Sequence, residues 1–78
     1  MSTRRSSAVL VELLQKSLGA QIAQDRVGKS VQQLGLDGAA LTEEDALRVL
    51  ELLACEKGLV GTSARFVKVR LMLVWAQG

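Results

Sequence analysis

Residues 59–75, LVGTSARFVKVRLMLVW, read equally well at two periods, and the choice between them sets the fold class. At the helical period Phe66, Val69 and Leu73 continue one face and Val67, Leu71 and Val74 another, leaving Arg65, Lys68 and Met72 as a more polar strip. At period two Val67, Val69, Leu71, Leu73 and Trp75 alternate with Phe66, Lys68, Arg70, Met72 and Val74, and the β-branched and aromatic content suits a strand. A strand must satisfy its backbone N–H and C=O groups on a neighbour. Here the only partners are a short piece near Leu59 and Val60 or the strand's own copy across a two-fold axis. The reading adopted is therefore all-α, a small bundle of about four helices with the last capped by Thr62 or Ser63. Three helices plus a C-terminal strand or hairpin over residues 59–75 is the alternative. A helix that is apolar on most sides belongs at the centre of a bundle or in an interface with a second subunit.

Immediately upstream, residues 42–58, TEEDALRVLELLACEKG, form the clearest helix in the chain. Thr42 and Asp45 have the spacing of a capping box, and Glu43, Glu44 and Asp45 set negative charge at the positive end of the helix dipole. Ala46, Leu47, Val49, Leu50, Leu53 and Ala54 share a broad face that must be buried, opposite Glu44, Arg48 and Glu51, and Gly58 suits the stop. Leu52 lies on the otherwise polar side.

Further back, GLDGAAL at residues 35–41 reads as a loop, with Leu41 placed as a hydrophobic staple before the Thr42 cap. Residues 20–34 carry a narrow stripe of Ala23, Val27, Val31 and Leu34, a thinner helix with Gly28 inside it. A first helix, capped by Ser6 or Ser7, runs to about Leu18 on Val9, Leu10, Leu13, Leu14 and Leu18; Glu12 and Lys16 face outward as an i, i+4 pair, and Gly19 ends it. Residues 1–5, MSTRR, are expected to be a flexible polar arm and residues 6–78 a single helical domain.

Several motifs are excluded on their own chemistry. Gly28-Lys29-Ser30 copies the tail of a phosphate-binding loop, but Ala23 stands where that loop needs glycine, and no buried strand precedes it. Asp37, Glu43, Glu44 and Asp45 lack the alternating oxygen ligands of a calcium loop. A histidine phosphotransfer domain needs a histidine, and the chain has none. The phrase Ala54-Cys55-Glu56-Lys57-Gly58-Leu59-Val60 resembles a winged-helix recognition helix passing into its wing. The segment from Leu34-Gly35 to Gly58-Leu59 is too long for that spacing, and Glu43, Glu44, Asp45 and Glu51 would face phosphates.

Without histidine and with a single cysteine, Cys55, near a helix C-terminus, no residue set is arranged for catalysis or for a metal. The expectation is a non-enzymatic chain without cofactor. A 78-residue chain buries only about 60% of its unfolded surface, yet 49% of this one is hydrophobic, so apolar surface is left for a partner. The expected function is a protein–protein interaction or regulatory module, self-associating as a homodimer, with Leu52, Phe66, Leu73 and Trp75 as the contact patch. The net charge is only +2, but residues 43–56 hold five acids and one base, and residues 57–78 hold four bases and no acid. The two final elements are thus expected to be neighbours. The alternative function is a small nucleic-acid-binding regulator that uses Arg65, Lys68 and Arg70. No apolar run reaches the ~18 residues of a membrane span, and the start does not read as a signal peptide. With one cysteine and no intrachain disulfide, the expected location is cytoplasmic.

Overall fold

A computed structural model describes residues 4–76 and places four helices and no strand there: α1 (Ala8–Leu18), α2 (Ala20–Gln33), α3 (Glu43–Ala54) and α4 (Leu59–Ala76). The all-α reading is correct, and the strand alternative over residues 59–75 is not. The main helix contacts run α1 to α2, α2 to α3, α3 to α4 and α4 back to α1, so the helices close a ring around one core. Each contributes an i, i+3/i+4 stripe to it: Leu10, Leu14 and Leu18; Ala23, Val27 and Val31; Ala46, Val49, Leu50 and Leu53; Ala64, Val67, Leu71 and Trp75.

Tight joints hold the ring in register. Gly19, at φ 84°, is the entire link between α1 and α2; its N–H donates to the Gln15 carbonyl at 2.8 Å and its carbonyl accepts from Ala23 N–H at 3.0 Å. α2 ends in a Schellman motif, with Leu36 N–H donating to Val31 O at 3.0 Å, Gly35 N–H to Gln32 O at 3.1 Å, and Gly35 at φ 69°. The expected capping box at α3 is present in both halves: Asp45 N–H donates to Thr42 Oγ1 at 3.1 Å and Thr42 N–H to Asp45 Oδ2 at 3.2 Å. Leu41 behind it is fully buried.

Three boundaries differ from the sequence expectation. α3 ends at Ala54, short of the Gly58 expected to stop it, with Cys55 as its C-cap. α4 starts at Leu59, before Thr62 or Ser63, because Gly58 at φ 77° turns the chain directly into it after the short joint of residues 55–57. Thr62 then sits inside the first turn, its N–H and its hydroxyl each donating to the Gly58 carbonyl at 3.2 Å. At the other end Arg5, assigned to the flexible arm, is docked: it exchanges backbone hydrogen bonds of 2.8 and 2.7 Å with Leu41, and Ser7 N–H donates to Gly38 O at 2.6 Å. Of the rest of the expected arm, Arg4 is exposed and residues 1–3 lie outside the described residues. Ser7 makes no side-chain cap on α1; Ser6 Oγ accepts from Ala8 N–H at 3.2 Å instead.

Candidate functional site

α4 carries two apolar seams, and the ring buries only one. Val67, Leu71 and Trp75 are inside, with Val60 and Val74 partly covered against the same core. Phe66, Val69 and Leu73 face outward at 73%, 67% and 62% exposure, joined by Leu59 and Met72. Positions 59, 62, 66, 69 and 73 alternate in steps of three and four, the spacing of a seam between packed helices. From Leu59 to Leu73 this strip is about 21 Å long at the helical rise of ~1.5 Å per residue.

Cations edge the strip. Arg70 and Lys16 line, with Leu13, Ser17, Phe66, Val67 and Val69, an open groove of about 460 Å³ between α1 and α4. Arg65 borders Thr62, Phe66 and Val69. Lys68, three residues from Arg65 and so beside it on the helix, reaches Glu51 of α3 at 3.5 Å. Among the described residues Lys16, Arg65 and Arg70 make no ion pair, so the i, i+4 spacing of Glu12 and Lys16 does not close into one. α3 and α4 are neighbours, as their opposite charges lead one to expect.

The four residues expected to form a contact patch separate. Phe66 and Leu73 lie on the strip. Trp75 does not: it is 8% exposed, part of the core, and Arg5 stacks on its ring at 5.6 Å from the centroid. Leu52 is half-buried at the α2–α3 seam, in a shallow pocket with Arg26, Lys29, Ser30, Gln33 and Glu56, where Arg26 and Glu56 pair at 3.0 Å. Val69, Met72 and Leu59 complete the strip and were missing from the expected patch, although their spacing from Phe66 was open to view. Arg65, Lys68 and Arg70 do not converge on one basic surface, since Lys68 is engaged with Glu51 and Arg70 turns toward α1. Cys55 is an exposed free thiol at the end of α3. No described helix is long and apolar enough to cross a membrane.

No family model, curated protein or solved structure matches the chain, so the functional reading rests on this geometry.

Proposed function

We propose that the protein is a non-enzymatic interaction module that binds another polypeptide through the outward strip of α4. The supporting observation is the strip itself: Leu59, Phe66, Val69, Met72 and Leu73 are exposed together on one side of one helix. Scattered apolar side chains on a surface are ordinary, but a continuous line of them marks a contact site. Fully covering a large apolar side chain contributes about 1.5–3 kcal/mol, whereas an exposed ion pair contributes about 0.2–1 kcal/mol. The apolar line therefore outweighs the cations beside it as a source of affinity. That ordering favours a protein over a nucleic acid, which would hold phosphates against Phe66 and Leu73 and leave their surface wet. Self-association is the case in which the bound polypeptide is a second copy. We place this work in the cytoplasm, since a small fold with one free thiol suits a reducing compartment.

The test is a photo-crosslinking amino acid introduced at Phe66, with the same group at Gln32 of α2 as control, in cells that make the protein. Discrete polypeptide adducts at position 66 and none at position 32 are expected. Equal labelling at both positions, or no polypeptide adduct at 66, overturns the reading.

A further inference from the structure

Resting on the reading of α4 as a docking face, we infer that its occupant is an acidic amphipathic helix of a different polypeptide, and not a second copy of this chain. The three-four spacing of Leu59, Thr62, Phe66, Val69 and Leu73 is that of a helix-on-helix seam, in which an apolar stripe on the partner meets an apolar stripe here. The rows on either side of such a seam choose the partner by charge. One row here is Arg70 with Lys16 of α1 beside it; the other is Arg65, since Lys68 next to it is already paired with Glu51. Lys16, Arg65 and Arg70 are exposed and have no carboxylate partner among the described residues.

That arrangement gives a second copy of α4 nothing to offer these cations, because residues 59–76 hold no acid. Packed parallel with the seam in register, Arg65 of one copy lies beside Arg70 of the other, five residues on, and cation meets cation. Packed antiparallel, each row runs along its own counterpart, and no carboxylate from either helix reaches Arg65 or Arg70. A helix with leucines along its seam and glutamates on both shoulders satisfies all of these groups at once. A phosphate surface, whether duplex DNA or an anionic bilayer, is drawn to the same cations but makes no use of the helical spacing between them.

The full chain is titrated against a labelled three-heptad peptide with Leu at the seam positions and Glu on both shoulders, and against a twin with Lys on the shoulders. Fluorescence anisotropy reads binding, and parallel runs use phosphatidylcholine–phosphatidylglycerol vesicles, duplex DNA, and sedimentation of the protein alone. The acidic peptide is expected to bind at least ~10-fold more tightly than its twin, and more weakly as salt rises. Arg65→Glu with Arg70→Glu, both at exposed positions, is expected to reverse the preference, and Phe66→Gln with Leu73→Gln to abolish binding of either peptide. Equal binding of the two peptides overturns the acidic partner but leaves the docking face standing. So does a dimer in sedimentation that Phe66→Gln dissociates, which identifies the occupant as a second copy. Binding to vesicles or DNA without binding to either peptide overturns the inference in favour of a phosphate surface. If nothing binds and the crosslinker at Phe66 finds no polypeptide, the docking face itself is wrong.

Discussion

Two glycines in this chain look alike in sequence and have opposite roles. Gly28 is in the middle of α2, exposed, and a Cβ built there meets nothing within 4 Å. Its backbone is already helical, so alanine removes conformational freedom from the unfolded chain at no steric cost. Gly28→Ala is expected to stabilise the fold by about 0.4–1 kcal/mol, read as a higher urea midpoint at unchanged slope. Gly61 is buried in the first turn of α4, and a Cβ there falls on the Glu56 carbonyl oxygen. That oxygen belongs to the backbone of the α3–α4 joint and cannot rotate away. Gly61→Ala is therefore expected to lower the midpoint, by more than Gly28→Ala raises it. The Thr42 cap lies between these cases, since its loss frees one part-buried backbone donor, Asp45 N–H, while the Thr42 N–H still donates to Asp45 Oδ2. Thr42→Ala is expected to cost about 1 kcal/mol in the same measurement.

Helices α1, α2 and α3 were legible because their signals are local: an apolar stripe within one stretch of chain for each, with Gly19 and Gly35 closing α1 and α2 and the Thr42 box opening α3. α4 is different in kind. Its two seams have the same spacing and similar hydrophobicity, so nothing within residues 59–75 says which one the core takes, and the strand reading persisted for the same reason. The decision is made at long range. Arg5, some seventy residues away, stacks on Trp75 and reaches the Val74 carbonyl at 3.5 Å, fixing the C-terminal end of α4 with its Trp75 side inward. Trp75 was expected on the outside because aromatic side chains anchor interfaces, but here it closes the core under a cation. If Arg5 holds this end of α4, Arg5→Ala is expected to cost about 1 kcal/mol, the sum of a partly exposed cation–π contact and a weak hydrogen bond. Hydrogen exchange places the loss: amides in the last turns of α4 are expected to exchange faster, while those around the Thr42 cap change little.

For the molecule as a whole, the division of α4 into an inner and an outer seam separates stability from binding, and the two are measurable apart. A domain of this length has about 4–12 kcal/mol of stability at the usual ~0.05–0.15 kcal/mol per residue. Leu50 is fully buried in the middle of the core, so Leu50→Ala is expected to remove about 2–5 kcal/mol, a large share of the total. Phe66 and Leu73 are as apolar as Leu50 but lie 73% and 62% in water, so folding of the single chain gains little from them. Phe66→Gln and Leu73→Gln are expected to move stability by no more than about 0.5 kcal/mol each. Urea titrations of the three variants, at concentrations where the wild-type chain is monomeric, decide the matter. A large loss from Phe66→Gln would make the outer seam part of the fold, and the claim that it waits for a partner would go with it. A neutral result leaves an apolar line about 21 Å long that the isolated chain does not need, beside cations that nothing described in the chain pairs. Water is a poor solvent for that line, and an acidic helix is the surface that covers the line and neutralises its edges together.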